Sequence, residues 1–255
     1  MTTKMFDLTG KTALVTGSAR GIGNAIARGL GDAGAAIILS DINAEGLGKA
    51  AAEARKDGYT VHEAVLDVTD EESVAAAFAK FDEQGLHVDI LVNNAGIQIR
   101  GPLLDFPAGD FRKVIDTNLT SAFLVGREAA RRMVKNGGGK IVNIGSLTSE
   151  QARVTTAPYT AAKGGIRLLT KAMTAEWAEH NIQINAIGPG YLITDMTKPL
   201  VEDEKFDSWV KQRTPARKWG VPADLVGTAV FLSSDASSFV NGQLIFVDGG
   251  IMAVY

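Results

Sequence analysis

Short apolar runs rich in β-branched residues alternate along the whole chain with longer segments of helical periodicity. This alternation is typical of βαβ units, in which successive strands lie parallel in one sheet. Several of the runs are almost entirely apolar, as expected for strands that helices cover on both faces. The strands are predicted at Thr12–Thr16, Ala36–Ser40, Thr60–Leu66, Ile90–Asn93, Lys140–Ile144, Ile182–Ile187 and Gln243–Val247.

Helical segments fill the intervals between these runs. No linker or change of composition marks a boundary within the 255 residues, so residues 1–255 are expected to form one domain. The stretch from Gly190 to Gly220 contains Pro199, Pro215 and many charges, and we predict that this irregular segment is a mobile lid over the substrate. The helices are predicted at Gly21–Ala33, Ala44–Lys56, Glu71–Gln84, Phe111–Lys135, Pro158–Glu179 and Ala223–Leu232.

The composition excludes several kinds of binding partner and indicates the cellular compartment. The absence of cysteine excludes disulfides and thiolate chemistry. A net charge of -3 gives no basic footprint of the kind that binds nucleic acid. Residues 1–11 lack the apolar core of a secretory signal, and no run approaches the roughly eighteen apolar residues of a membrane span. The sequence therefore predicts a cytoplasmic protein that binds neither nucleic acid nor membranes.

A glycine-rich turn follows the first predicted strand and opens the first predicted helix. Its glycines would let a ligand approach the backbone closely, and the amides at the positive helix end would favour a phosphate. Glycine-rich turns also serve packing, and the spacing is a variant of the common Gly-x-Gly-x-x-Gly dinucleotide-binding pattern. The candidate cofactor residues of this turn are Gly17, Ser18, Arg20, Gly21, Ile22 and Gly23.

Acidic residues follow the second and third predicted strands. Asp41 can accept hydrogen bonds from the adenosine ribose and would repel a 2′-phosphate, which favours NAD. Arg20 could instead pair with that phosphate, so NADP use stays open. Asp67, with Val68 beside it, is a candidate contact for the adenine. Either aspartate could equally cap the helix that follows it.

Two adjacent asparagines end the fourth predicted strand. The sequence from Asn93 to Gly96 lies at the carboxyl edge of the predicted sheet, where open parallel sheets bind their ligands. A plain turn would also select this sequence. We take Asn94, Ala95 and Gly96 as candidate cofactor residues.

Tyr159 and Lys163 lie four residues apart on a predicted helix, thirteen residues after Ser146. Side chains at this spacing project from one face of a helix. A free tyrosine ionises at about pH 10, and a nearby ammonium and nicotinamide cation would favour its phenolate. Tyr159 is then expected to carry the proton while hydride moves to or from the nicotinamide, with Ser146 bound to the reacting oxygen. An ordinary amphipathic pair and a turn serine are the alternative.

These motifs together resemble the short-chain dehydrogenase/reductase family, and they occur in family order across almost the whole chain. The resemblance implies an α/β fold in a single Rossmann-fold domain, with a doubly wound, seven-stranded parallel sheet and helices on both faces. It implies an NAD(P)-dependent dehydrogenase or reductase acting on CH–OH donors, usually a homotetramer. The motifs that carry the resemblance are Thr16 to Gly23, Asn93 to Gly96, Asn118, Ser146, Tyr159 with Lys163, and Pro189-Gly190.

The resemblance also assigns roles to individual residues. The implied catalytic residues are Asn118, Ser146, Tyr159 and Lys163, with Asn118 supporting a water chain. Lys163 and Tyr159 would also contact the cofactor, as would Pro189, Gly190 and Thr194. A helix kink or cap would explain Asn118 as well, and a plain turn would explain Pro189-Gly190.

Within the family, the chain is most similar to members that interconvert gluconate and 5-keto-gluconate. The similarity is densest towards the C-terminus, through Arg213 to Ala216, Trp219-Gly220 and Phe239 to Gly250. It implies that the substrate is a small polyhydroxy acid. Two departures weaken the expected recognition of a carboxylate: Ile99 stands where a second arginine is expected, and Gln151-Ala152 replaces Leu-Gly.

Physical chemistry suggests which side chains would bind such a substrate. Arg100 and Arg153 could pair with its carboxylate, and Glu150 could accept from its hydroxyls, beside Ser146 and Tyr159. Surface or interface salt bridges would explain these charged residues equally well.

Other functions stay open. A reductase of a 3-oxoacyl thioester, a ketose or a steroid would share the scaffold. A non-catalytic dinucleotide sensor is disfavoured by the intact set of catalytic residues. No metal is expected, because His62, His87 and His180 lie on separate segments. The apolar ending from Ile251 to Tyr255 suits a contact with a neighbouring subunit.

Overall fold

The computed structural model describes residues 2–254, so the predicted limits at residues 1 and 255 and the last residue of the apolar ending lie outside the described residues. Its strands form one parallel sheet in the order β3-β2-β1-β4-β5-β6-β7, which confirms the predicted fold class. The strands are β1 (Thr12–Thr16), β2 (Ala36–Asp41), β3 (Val61–Val65), β4 (Ile90–Asn93), β5 (Gly139–Ile144), β6 (Ile182–Pro189) and β7 (Leu244–Val247).

Helices lie between the strands. No helix formed by residues 2–254 combines the length and the apolar character that crossing a membrane requires. The α-helices are α1 (Gly21–Asp32), α2 (Ala44–Lys56), α3 (Glu71–Glu83), α4 (Ala108–Ile115), α5 (Ser121–Lys135), α6 (Ala157–Trp177), α7 (Lys198–Val201), α8 (Glu204–Arg213) and α9 (Val226–Ser233). Short 3-10 helices span Thr2–Phe6, Leu103–Asp105, Leu147–Ser149, Ala178–His180, Pro222–Leu225, Asp235–Ser237 and Ile251–Ala253.

The sheet is buried on both faces, as its apolar strands predict. Alternate residues of a strand point to opposite faces. In β1, Val15 joins a core cluster with residues of α1, α2 and α9, whereas Leu14 joins a second cluster with residues of α3, α5 and α6. Two helical layers therefore sandwich the sheet.

The strand order reverses beside β1, which pairs with both β2 and β4. Chain segments on either side of this point leave the sheet in opposite directions, and a crevice opens at the carboxyl ends of the strands. The predicted motifs around residues 17, 94, 146 and 190 each follow a strand at this edge.

The single helix predicted over Phe111–Lys135 is wrong. Helix α4 begins earlier, at Ala108, and a π-helical turn over Asp116–Thr120 separates it from α5. Two hydroxyls bond to carbonyls one turn back, Thr117 Oγ1 to Lys113 O at 2.8 Å and Ser121 Oγ to Thr117 O at 2.6 Å. Such side-chain bonds compete with the helical ladder and widen a helix locally.

The prediction that residues 190–220 are irregular is also wrong, because this segment contains α7 and α8. Asp203 caps α8 by accepting hydrogen bonds from the amides of Lys205 and Phe206 at 3.0 and 3.2 Å. The helix packs its aromatic residues against an aromatic neighbour and not against the sheet: the rings of Phe206 and Trp209 lie 5.5 and 5.7 Å from that of Tyr191. Whether this segment moves as a lid stays a prediction.

Candidate active site

The glycine-rich turn between β1 and α1 has the geometry of an anion site. Gly17 and Gly21 have φ angles of 62° and 60°, a region that favours glycine. A Cβ on Gly23 would lie 2.4 Å from Gly17 O, so a side chain cannot be accommodated there. Arg20 is the N-cap of α1 but offers no side-chain cap, which leaves the first amides of this helix available to a phosphate.

Asn94 fixes this turn from the neighbouring strand. Its Nδ2 donates to Thr16 O at 2.8 Å and to Gly17 O at 3.0 Å, and Thr16 Oγ1 accepts from the amides of Asn94 and Ala95. Asn93 points elsewhere, donating from Nδ2 to Asn143 Oδ1 at 2.9 Å inside the fold. The two asparagines therefore have different roles, and the one after the strand is more than a plain turn residue.

Asp41 ends β2 next to the glycine-rich turn. Its Oδ2 accepts from Ala19 N at 3.2 Å and its Oδ1 accepts from Asn43 N at 3.0 Å. The cap of α2 is Asn43, whose side chain accepts from Gly46 N, so the alternative role of Asp41 as a helix cap is wrong. The carboxylate therefore lies directly beside the glycine-rich turn.

Asp67 and Val68 follow β3. The Oδ1 of Asp67 accepts from the amide and hydroxyl of Thr69 at 2.9 and 2.7 Å, which makes a local turn, and Asp70 caps α3 instead. Capping is therefore wrong for Asp67 too. Val68 is buried in the core cluster of the α3 face.

The segment after β6 approaches the glycine-rich turn from the other side of the crevice. Arg20 Nη1 lies 3.1 Å from Asp195 Oδ2, and this ion pair joins the turn to the predicted lid. The hydroxyl of Thr194 lies 3.1 Å from that of Thr197, the N-cap residue of α7. A Cβ on Gly190 would lie 2.6 Å from the Cα of Asp248, so packing alone already requires glycine there.

Ser146, Tyr159 and Lys163 come together at the carboxyl end of β5. Lys163 Nζ donates to Ile144 O at 2.6 Å and lies 5.6 Å from the centroid of the Tyr159 ring. Ser146 starts the 3-10 helix Leu147–Ser149, and its Oγ accepts from Thr148 N at 3.2 Å. A serine hydroxyl, a phenol and a buried ammonium thus share one edge of the sheet with the glycine-rich turn.

The charge states of this group differ from the simple expectation of an acidified phenol. Burial raises the pKa of Tyr159, and the Ser146 hydroxyl, which can donate a hydrogen bond to the phenol oxygen, opposes this rise. Burial lowers the pKa of Lys163 to about 8, so the amine stays mostly charged at neutral pH. The protein alone therefore holds Tyr159 as a neutral phenol beside an ammonium.

Asn118 lies in the π-helical turn and is buried. Its Oδ1 accepts from Ile97 N and its Nδ2 donates to Ile97 O, both at 2.7 Å. The side chain thus holds the backbone just after β4. A Cβ on the adjacent Gly96 would lie 2.9 Å from Asn118 Oδ1. The predicted kink is present, and its role in a water chain stays a prediction.

The candidate substrate residues separate into two groups. Arg100 Nη2 donates to Thr155 Oγ1 at 3.2 Å, and burial and the nearby charge of Arg153 both lower the pKa of Arg100. The guanidinium of Arg153 lies 4.0 Å from the centroid of the Phe206 ring. Glu150 forms a salt bridge with Arg167 at 3.2 Å, which agrees with the alternative interpretation of that residue as a partner in a surface ion pair.

A cavity of about 380 Å³ is lined by Leu147, the residue after Ser146, and by several residues that were not predicted from the sequence. Arg153 was predicted, but Tyr191, Phe206, Trp209 and Arg213 were not. The available signal was the concentration of aromatic residues between residues 191 and 219, three of which contact Phe206. Within the described part of the chain, no group of His, Cys, Asp or Glu residues could hold a metal ion.

Comparison with known proteins shows to which family the chain belongs. The family model described as enoyl-(acyl carrier protein) reductase, a short-chain dehydrogenase model, matches residues 17–252. The chain belongs to the short-chain dehydrogenase/reductase family. It is therefore an NAD(P)-dependent oxidoreductase, as the motifs predicted.

Several members of this short-chain dehydrogenase/reductase family are similar over their whole length. Gluconate 5-dehydrogenase of Gluconobacter oxydans is 49% identical over 97% of this chain and 96% of its own. The 5-keto-D-gluconate 5-reductase of Escherichia coli K12 is 48% identical over 97% and 98%. The structure of a gluconate 5-dehydrogenase from Burkholderia cenocepacia, with NADP and tartrate, is 47% identical over all of both chains, with a TM-score of 0.98.

Proposed function

We propose that this dehydrogenase/reductase interconverts gluconate and 5-keto-gluconate, or a closely related polyhydroxy acid and its ketone. The observation that carries the proposal is the grouping of Ser146, Tyr159 and Lys163 between the glycine-rich turn and the cavity that Arg153 lines. Such a group can transfer a proton to an oxygen whose carbon exchanges hydride with a nicotinamide. Relatives named for this substrate pair are similar over the whole chain.

The proton chemistry follows from the charge states. In reduction, the neutral phenol of Tyr159 donates its proton to the substrate oxygen, while the Ser146 hydroxyl donates a hydrogen bond to the same oxygen. The ammonium of Lys163 then stabilises the phenolate that remains. In oxidation, Tyr159 accepts the proton of the substrate hydroxyl. When bound, the dinucleotide supplies or accepts the hydride.

The residues of the crevice fit a dinucleotide. Gly17, Gly21 and the uncapped start of α1 suit its pyrophosphate, and Asp41 suits the adenosine ribose. We propose that Thr194 contacts the carboxamide and that residues 190–220 form the lid. Both cofactors are proposed to be used, with Asp41 favouring NAD and Arg20 permitting NADP; the Burkholderia relative was solved with NADP.

Two arginines support an acidic substrate. Among residues 2–254, neither Arg100 nor Arg153 forms an ion pair with an acidic side chain, although the two guanidinium groups are close enough to affect each other. A carboxylate between them would relieve this repulsion. The rings of Phe206 and Trp209 hold the Arg153 guanidinium at the cavity by cation–π contacts.

We further propose that the protein is a homotetramer. Large apolar side chains on several elements are exposed in the single chain, among them Leu104, Leu168 and Phe239. Contacts between subunits would remove this apolar surface from water.

The proposal is tested by following reduced-nicotinamide absorbance with gluconate, 5-keto-gluconate, a ketose and a 3-oxoacyl thioester, each with both cofactors. Tyr159→Phe should lower kcat by on the order of a hundredfold to ten-thousandfold, the range for a general acid. Tyr59→Phe is the matched control, because its hydroxyl contacts Asp32, at the end of α1 away from the glycine-rich turn. Turnover of the thioester alone would reject the substrate, and full activity of Tyr159→Phe would reject the assigned acid.

A further inference from the structure

A second cavity, of about 200 Å³, lies at the amino edge of the sheet, far from the candidate active site. Strand β5 joins the two places: Lys140, its second residue, lines the cavity, and Ser146 follows its other end. The lining also includes Lys11, Asp89, Gly138, Ser233 and Asp235. None of the chemistry proposed above uses this region.

Lys140 is the central feature of the cavity. Its side chain points to the face that α9 covers, since Val142 and Ile144 on the same side of β5 belong to the cluster of α1 and α9. The residue is only 9% exposed. Its amide donates to Asp89 O at 2.9 Å, but among residues 2–254 its Nζ has no hydrogen-bond or ion-pair partner.

A second polar group without a partner lines the same cavity. Ser233, the last residue of α9, lines the cavity, and its buried Oγ makes no hydrogen bond to the described residues. Buried polar groups in native structures are almost always paired, and an unpaired one calls for a ligand or an ordered solvent molecule. An ammonium and a hydroxyl that both lack acceptors together suit an anion.

The surrounding charges restrict which anion fits. Besides Lys11 and Lys140, the lining contains three carboxylates, those of Asp7, Asp89 and Asp235. Asp89 is already engaged by Thr12 N at 2.9 Å and by Lys11 Nζ at 3.7 Å, and Asp7 accepts from Thr9. Asp235 forms no salt bridge with Lys140, although its charge opposes the lowering of the Lys140 pKa by burial. The lining carries one more negative than positive charge, so a dianion is repelled more strongly than a monoanion, whereas hydroxyl groups could donate to the carboxylates.

We propose that this cavity binds a small hydroxylated monocarboxylate, with the carboxylate on Lys140 Nζ and Ser233 Oγ and hydroxyls directed towards Asp235. The volume corresponds to roughly six water molecules, which leaves room for a ligand of three or four carbons. The site is separate from the proposed catalytic function and does not depend on it.

The test uses sodium glycerate, by isothermal titration calorimetry of the full chain and by soaking crystals. Density for glycerate beside Lys140 is expected. Lys140→Met should weaken this binding by at least tenfold and Ser233→Ala by a smaller factor, with kcat unchanged in both. Lys56→Met, an exposed lysine on α2, and Arg153→Met, at the active site, should leave it unchanged.

Three results would overturn the site: equal glycerate affinity in Lys140→Met and the parent, density only in the active-site cavity, or affinity lost in Arg153→Met and kept in Ser233→Ala. Inorganic phosphate should bind at least tenfold more weakly than glycerate, and equal binding would overturn the ligand class. If Lys140→Met does not fold, Ser233→Ala decides, since unchanged affinity there also contradicts the proposal.

Discussion

The ammonium of Lys163 is buried. The proposed chemistry uses its positive charge next to Tyr159. The carbonyl of Ile144 accepts its hydrogen bond, but burial still lowers the pKa of the amine to about 8. Burial raises the pKa of the neighbouring phenol as well. Both shifts disfavour charge at this position, so the site is built at some cost to the stability of the fold.

This cost gives a stability prediction with a defined pH range. The folded pKa of Lys163, about 8, lies below the usual 10.5, so between these values the unfolded chain binds more protons than the folded one. The free energy of unfolding of the parent should then rise with pH, relative to Lys163→Met, by up to about 3 kcal/mol. Below pH 8 the full cost is present, and above 10.5 it is absent.

Urea unfolding of the two proteins at pH 7 and pH 10 measures this difference. Comparing the two pH values cancels any constant effect of the lost hydrogen bond to Ile144. Lys56→Met, which removes an exposed lysine, should show no such pH-dependent difference. A difference that is flat with pH, or that falls as pH rises, would mean that Lys163 is not desolvated in the folded protein.

At the scale of elements, the π-helical turn between α4 and α5 places a side chain on a neighbouring loop. The side chain of Asn118, within this turn, bonds both backbone groups of Ile97 at 2.7 Å each. The turn therefore joins the helix layer to the end of β4, where Asn94 holds the glycine-rich turn.

Asn118→Ala should lower the free energy of unfolding by about 1–3 kcal/mol, because it leaves the amide and carbonyl of Ile97 without partners. Urea denaturation of the variant measures this effect. Asn136→Ala, at the exposed end of α5, is the matched control and should change stability by no more than about 0.5 kcal/mol. Equal stability of Asn118→Ala and the parent would show that water replaces the lost partners.

The sequence predicted some elements well and others poorly, for physical reasons. The strands and the helices of the sheet layers were located because their apolar spacing follows directly from burial. The π-helical turn was missed because the hydroxyl bonds of Thr117 and Ser121 that accompany it leave no trace in the apolar spacing. Helix α8 was missed because its buried face meets Tyr191 and Trp219, and that face carries few of the aliphatic residues that reveal a period.

In the candidate site, too, features set by local spacing were predicted and features set by tertiary contacts were not. Ser146, Tyr159 and Lys163 were found by spacing and do lie together. The direction of the Tyr159 pKa shift was not found, because it depends on how much solvent the fold removes. The pairing of Glu150 with Arg167 and of Arg20 with Asp195 likewise depends on the tertiary structure.

At the scale of the whole molecule, one ion pair joins two segments that are distant in sequence. Arg20, in the glycine-rich turn, pairs with Asp195, which lies on the segment after β6. Both side chains are largely exposed, so the pair contributes at most about 1 kcal/mol. Its importance is that Asp195 competes for the guanidinium that a 2′-phosphate would need.

Asp195→Asn should therefore lower the KM for NADP about two- to fivefold and leave the KM for NAD unchanged, since about 1 kcal/mol corresponds to this range. Steady-state kinetics with both cofactors measure the ratio. Glu202→Gln, an exposed carboxylate on the same segment, is the control and should leave the ratio unaltered. An NADP to NAD ratio that stays constant, or that moves towards NAD, would contradict competition for Arg20.

The hydrogen bonds from Asn94 to Thr16 and Gly17 connect residues 78 and 77 positions apart. During synthesis on the ribosome, the first 93 residues emerge without the donor that fixes the glycine-rich turn. A nascent chain shorter than 94 residues consequently lacks the side chain that bonds to Thr16 and Gly17. These two hydrogen bonds can form only after the fourth strand has left the exit tunnel.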